Sequence, residues 1–348
     1  MARLLKEHFD SHPDMEIRDA IKFLHQSRMG PGHLIGDEGE ARSRLEAEWA
    51  RVEGDPAAPM TEPLGGGMCR LLLRGCKGNG LSSETALRLF LLTAGQVSPD
   101  LPGLEKDLEL LYALSFPREA VSPALEQYRA LGCPPVGHSA RYRRAYSPAY
   151  RVVTTRLARL LPLLCAIDRE MARSPFVRVA IDGPCASGKS TLGEELAQIY
   201  RCPLLHMDDF FLRPEQRTEE RLARPGGNVD YERFDREALA PLCRGEEARF
   251  RPWRCREGAF GPELVVRPSP LTVIEGSYSL HPALRDRFQL RVWLEADMDA
   301  RLARLSARGG PGCVERFRKV WIPLEDRYFA ACRVKECCQL QISGADAH

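Results

Sequence analysis

The hydrophobic pattern changes period about half-way along the chain. Up to about residue 174, apolar side chains recur at three- and four-residue intervals, the spacing of one helix face. Ile17, Ile21 and Leu24 follow Ser11 and Pro13 and stop at Gly30-Pro31-Gly32, which predicts a first helix closed by breaker residues. Leu45, Trp49 and Val52 share a face over residues 38–52. Ser82 or Ser83 can cap a third helix that carries Ala86, Leu87, Phe90 and Leu91 and ends at Gly95. Leu104, Leu108 and Leu111 mark a fourth, and Pro117 suits the first turn of a fifth that bears Leu125 and Tyr128 and ends at Gly132. A last helix spans residues 156–173, with Pro162 as its candidate kink. Residues 54–67, rich in Pro and Gly, read as a loop, as do residues 76–81. The pattern predicts an all-α domain over residues 1–174.

Beyond Ser174-Pro175 the period shortens. Apolar runs at residues 176–181, 203–207, 271–274, 289–294 and 338–342 alternate with helical stretches. That alternation predicts an α/β domain over residues 175–348, a mostly parallel sheet with helices on both faces. Ligands of such sheets bind at the carboxyl ends of the strands. The chemistry of this half is therefore expected immediately after the apolar runs.

The first run ends in Asp182-Gly-Pro-Cys-Ala-Ser-Gly-Lys-Ser-Thr191, where Gly183, Gly188, Lys189 and Ser190 fill the fixed positions of G-x-x-x-x-G-K-[ST] between a strand and a helix. This is the phosphate-binding loop pattern. The glycines let successive backbone N–H groups turn inward, and with the N-terminus of the following helix these hold phosphate oxygens. Ser187, Gly188, Lys189, Ser190 and Thr191 would line the nucleotide, Lys189 reaching the β- and γ-phosphates and Ser190 ligating magnesium. The pattern thus predicts ATP and Mg2+ as cofactors.

The later runs also end in polar residues. Asp208-Asp209-Phe210-Phe211 follows the second, Asn228-Val229-Asp230 comes next, Glu275-Gly276 follows residues 271–274, and Arg301, Arg304 and Arg308 share one helix face. In that order, residues 176–331 resemble the uridine kinase family of P-loop small-molecule kinases, whose relatives include phosphoribulokinase, bacterial pantothenate kinase and nicotinamide riboside kinase. The resemblance implies that Asp208, rather than Asp209, is the catalytic base and helps order the magnesium shell, that Glu275 holds magnesium, and that Asp230 binds acceptor hydroxyls. It also implies that Arg304 and Arg308 act from a lid over the phosphates. Residues 251–261 keep an aromatic, Trp253, as a candidate substrate contact, but lack the histidine with which uridine kinases read the pyrimidine.

Composition narrows this only a little. At 348 residues the chain exceeds what one core usually serves, in keeping with two domains. A formal net charge of +2, with 44% hydrophobic and 28% charged residues, gives no strong preference for nucleic acid or membrane. Twelve cysteines are scattered apart from Cys337-Cys338 and form no C-x-x-C pair, so they read as reduced structural thiols. The N-terminus turns polar at once and no run reaches the length of a membrane span, which predicts a cytoplasmic enzyme. Homo-oligomerisation is left open. Arg213, Arg217, Arg221 and Arg224 could favour an anionic acceptor or pair with Glu215, Glu219 and Glu220. Residues 137–151, dense in Arg and Tyr, read as a packed interdomain connection, and His33 and His138 sit in turns where side chains are often functional.

The expected activity is that of an ATP- and magnesium-dependent kinase acting on a hydroxyl of a small molecule, a nucleoside by the resemblance. Two alternatives stand beside it: a non-nucleoside acceptor such as a pantothenate-like compound or a sugar phosphate, and a nucleotide-dependent sensor without turnover.

Overall fold

The computed structural model describes residues 1–32 and 36–344, so His33 lies outside the described residues. Contacts divide the chain into two units, Met1–Cys165 and Ala166–His348. The division falls inside a helix, upstream of the Ser174-Pro175 boundary expected from the change of period.

Unit one runs α1 (Ala2–Ser11), α2 (Ile17–Met29), α3 (Glu38–Arg51), β1 (Thr61–Gly65), β2 (Met68–Leu72), α4 (Leu73–Gly78), α5 (Ser83–Gln96), α6 (Leu101–Leu108), α7 (Arg118–Ala130), α8 (Ala140–Tyr146), β3 (Tyr150–Thr154) and α9 (Thr155–Ala158). The shared helix α10 (Leu161–Arg173) follows. The helical N-terminal region is where the apolar spacing placed it. Ser82 caps α5 by accepting from the Thr85 N–H, as expected of a hydroxyl at that position. Phe23, Leu24, Leu64, Leu104, Leu108 and Leu125 form one core, all fully buried.

The all-α description needs correction, because unit one also holds a three-stranded antiparallel sheet in the order β1-β2-β3. Its first strand comes from the segment read as a Pro- and Gly-rich loop. Pro63 is tolerated there because β1 lies at the sheet edge, and Gly65, Gly66 and Gly67, all at positive φ, make the turn into β2. The third strand comes from the Arg- and Tyr-rich segment, which belongs to unit one and is no interdomain connection. His138 is buried there, bonded to Asp19 at 3.0 Å and Tyr150 at 2.6 Å, and its pKa falls to about 4 through burial. It is a core residue of the fold.

Unit two runs β4 (Val177–Asp182), α11 (Lys189–Tyr200), β5 (Leu204–His206), α12 (Glu219–Ala223), α13 (Tyr231–Phe234), α14 (Ala240–Cys243), β6 (Ala248–Phe250), β7 (Trp253–Arg254), β8 (Ala259–Phe260) and β9 (Leu264–Val266). It ends with β10 (Leu271–Glu275), β11 (Leu290–Glu295), α15 (Met298–Arg316), α16 (Ile322–Cys332) and β12 (Leu340–Ser343). The five strands predicted by the apolar runs form one parallel sheet, ordered β12-β11-β4-β10-β5 and flanked by helices. Two small hairpins, β6 with β9 and β7 with β8, were not foreseen. All twelve cysteines are free thiols, and no helix among the described residues is long and apolar enough to cross a membrane.

Candidate active site

Parallel register decides what meets at the carboxyl edge of the sheet. Glu275 at the end of β10 lies beside Ile181 of β4 on one side and His206 of β5 on the other. The loop after β4, the acid ending β10 and the acids after β5 therefore come together, three strands side by side.

The loop between β4 and α11 is held from several directions. Gly183 has φ 147°, and a Cβ there would stand 2.2 Å from the Leu294 carbonyl oxygen, so no other residue fits. Lys189 is buried and donates to the carbonyls of Gly183 at 2.9 Å and Pro184 at 2.8 Å. Ser190 and Thr191 are exposed at the start of α11, whereas Ser187 is fully buried with its hydroxyl unpartnered. Asp182, fully buried, accepts from the N–H groups of Gly183 and Leu280 and from the Tyr328 hydroxyl, and burial raises its pKa to about 6.

A second set of contacts was not visible in the sequence pattern. Glu325 of α16 is buried and accepts from the Cys185 N–H and the Ser277 hydroxyl, both at 2.8 Å. Ser277 shares the Gly183 carbonyl with Lys189, at 3.0 Å. Arg301, also buried, donates to the Cys185 carbonyl at 2.9 Å and lies 3.7 Å from Glu325. Arg304 donates to the carbonyls of Ala186 and Ser187 at 2.9 and 3.0 Å. Arg308, on the same face but further along α15, is exposed and touches none of the loop residues with a hydrogen bond. Of the three arginines, the structure brings Arg301 and Arg304 to the loop. The helix breaks at Gly310, which has φ 69°, just before Pro311.

The acids after β5 are set by their apolar neighbours. Met207 and Phe210 are fully buried and leave Asp208 exposed and Asp209 half-buried between them. Asp208 keeps an exposed surface although protein crowds it, and this crowding, then the negative charge of Glu275, raises its pKa to about 6 against the pull of Lys189 and His206. Asp209 is raised by the same burial. Glu275 is buried and accepts from His206 Nδ1 at 2.6 Å, a bond that raises the histidine pKa. Gly276, at φ 133°, leaves room for Met207, whose Cβ would be 2.9 Å from an added methyl. His206 had gone unnoticed as a site residue, although it directly precedes Met207-Asp208.

Asp230 reaches the same edge by a short antiparallel contact. Phe211 bridges Val229, and the Asp230 N–H donates to the Phe210 carbonyl at 2.7 Å. Its carboxylate caps α13 through the Arg233 N–H and accepts from Gln216 Nε2 at 2.7 Å. Arg233 ties this segment to the acids, donating to the Asp209 carbonyl at 2.8 Å and lying 4.3 Å over the Phe210 ring. Trp253 is buried edge-on to Phe260, its indole N–H unpartnered. Arg221 pairs with Glu232, and Arg213 and Arg224 pair with Glu215 and Glu220.

No family model matches the sequence, and no curated protein matches it. Solved structures that resemble it include a possible uridine kinase from Bacillus stearothermophilus, 18% identical, covering 52% of this chain and 98% of that one, with a TM-score of 0.38. A putative fructose transport system kinase from Silicibacter sp. TM1040 is 24% identical over 51% of this chain and 97% of its own, with a TM-score of 0.41. A shikimate kinase from Bacteroides thetaiotaomicron is 16% identical over 48% of this chain and 86% of its own, with a TM-score of 0.27. Likeness of this degree carries no weight for activity or substrate.

Proposed function

We propose that unit two is an ATP- and magnesium-dependent phosphotransferase whose acceptor is a hydroxyl of a small molecule. The observation that carries this reading is the register of β4, β10 and β5, which sets the Lys189 loop, Glu275 and Asp208 side by side. A nucleotide-binding protein needs the loop; a phosphotransferase needs a carboxylate beside it.

The acids fit a divalent cation. Asp208 and Glu275 face each other closely enough for one to raise the pKa of the other, and a cation between them relieves that repulsion. Ser190, Asp208 and Glu275 are the residues that would hold magnesium. Bound there, the ion would neutralise charge on the phosphates. The chain itself would do the rest by positioning. Loop N–H groups and Lys189, released from the Gly183 and Pro184 carbonyls, take the phosphate oxygens, and Arg304 lies at the same loop. Asp208, kept ionised by a cation held beside it, accepts the proton of the attacking hydroxyl. His206 holds Glu275 in place, and Asp230 receives acceptor hydroxyls.

In an Asp208→Asn protein, transfer should fall by roughly 10²–10⁴-fold, while the affinity for a non-hydrolysable ATP analogue measured without magnesium changes little. Full transfer activity in that variant would show that Asp208 is not the base.

A further inference from the structure

A cleft of about 400 Å³ opens beside Asp230, lined in part by Arg213, Gln216, Arg221, Arg233 and Arg236. Four arginines line it against two carboxylates, Asp230 and Glu232. Glu232 is matched by its own arginine, whereas each Asp230 oxygen accepts one bond and keeps a lone pair for a further donor. Glu232 takes both nitrogens of Arg221 at 2.6 and 2.7 Å, and Asp230 accepts from Gln216 and from the Arg233 N–H. Arg233 is buried and committed to the carbonyls of Arg251 and Asp209.

That leaves Arg213 and Arg236. Arg213 donates Nε to Gln216 Oε1 at 3.1 Å and meets Glu215, which is 63% exposed, through one terminal nitrogen; Arg236 is itself 68% exposed where it meets Glu237, a carboxylate shared with Arg233. Ion pairs as exposed as these contribute at most about 1 kcal/mol, so an anionic ligand can displace them. Guanidinium groups bind phosphate and carboxylate through paired, charge-assisted hydrogen bonds. The lining also holds no aromatic side chain, Leu212 being its one apolar residue. A nucleobase needs a stacking or apolar wall, and the aromatic expected to supply one, Trp253, is packed into the β7–β8 hairpin instead.

We infer that the acceptor is an anionic polyol, its hydroxyls directed to Asp230 and its phosphate or carboxylate clasped by Arg213 and Arg236, rather than a neutral nucleoside. This rests on the phosphotransferase reading of the same site.

The test is isothermal titration of the whole 348-residue chain, saturated with a non-hydrolysable ATP analogue and magnesium, with ribose 5-phosphate, ribonate, ribose and uridine, and turnover of each with ATP in parallel. Two guanidinium contacts at this exposure contribute about 1–2 kcal/mol together, so ribose 5-phosphate or ribonate should bind about 5–30-fold more tightly than ribose or uridine. Which of the two anions binds better separates a phosphate from a carboxylate site. The Arg213→Gln/Arg236→Gln double variant should lose that advantage while retaining the wild-type affinity for the ATP analogue. Uridine binding as tightly as both anions, or anion affinity unchanged in the double variant, overturns the inference. The two readings fail separately: turnover of uridine with no anion preference spares the kinase and overturns the anion site, whereas arginine-dependent anion binding without turnover supports the anion site and overturns the kinase.

Discussion

Asp208 is charged at neutral pH in a place where charge is disfavoured, and that has a consequence for stability. Its folded pKa is about 6, against 3.8 for an ordinary aspartate. The folded protein therefore takes up this proton at a higher pH than the unfolded chain does. Stability owed to the group is complete below pH 3.8 and is lost as the pH rises through about 6. An Asn cannot titrate, so Asp208→Asn should gain stability relative to wild type between pH 4.5 and pH 7.5. Urea midpoints at those two pH values, measured without divalent cations, check this. Because water reaches the side chain, the gain should be small; an identical wild-type-to-variant difference at both values would contradict it. Lys189, Asp208 and Glu275 were legible as residues of one sheet edge because each lies close behind a strand, whereas Asp230 was singled out only through the resemblance. His206 and Glu325 were not. Their roles come from partners 69 and 140 residues away, Glu275 and Cys185, which no local pattern announces.

At the scale of elements, α15 and α16 hold the phosphate-binding loop through one buried pair. Glu325 and Arg301 are each 6% exposed by side chain, and between them they fix both the N–H and the carbonyl of Cys185. Removing one partner of a buried pair leaves the other uncompensated, at a cost of roughly 3–5 kcal/mol. Glu325→Ala should therefore lower the stability of unit two by about that much and weaken binding of an ATP analogue, as read by denaturant unfolding and titration. Arg301→Met combined with Glu325→Leu should recover much of the stability but not the nucleotide affinity; full recovery of both would mean that the pair does not order the loop. The apolar runs gave the five strands of the parallel sheet in nearly their observed positions, because buried parallel strands are continuous hydrophobic segments. The strands β1 to β3 escaped notice for the opposite reason. Each has five residues, and one of them carries Pro63 while another emerges from a Tyr- and Arg-rich stretch.

At the scale of the molecule, unit one is built around a buried cation of its own. Arg70 of β2 is 1% exposed and is held by Glu62 at 2.9 Å, Gln26 at 3.1 Å and the ring of Tyr150 at 4.5 Å. Arg70→Ala would leave Glu62 with only its bond to His8 and remove this packing and hydrogen bonding at a fully buried position, and we expect a loss of roughly 3–5 kcal/mol in unit one, measured by hydrogen exchange of its helices. A loss below about 1 kcal/mol, the level of an exposed pair, would contradict the structural role. Nucleotide should act on the other unit. At 100 times its Kd an ATP analogue stabilises the state that binds it by about 2.7 kcal/mol, and the slowed exchange should centre on residues 183–191. Protection centred instead in residues 1–165 would place the nucleotide elsewhere.

The fate of the γ-phosphoryl group is the most direct measure of the central claim. Phosphorus NMR of the wild-type protein with ATP, magnesium and a set of hydroxyl compounds should show a new phosphate ester on one of them, appearing at the rate ADP appears. Tight ATP binding with only inorganic phosphate released, or with no ATP consumed, would contradict it.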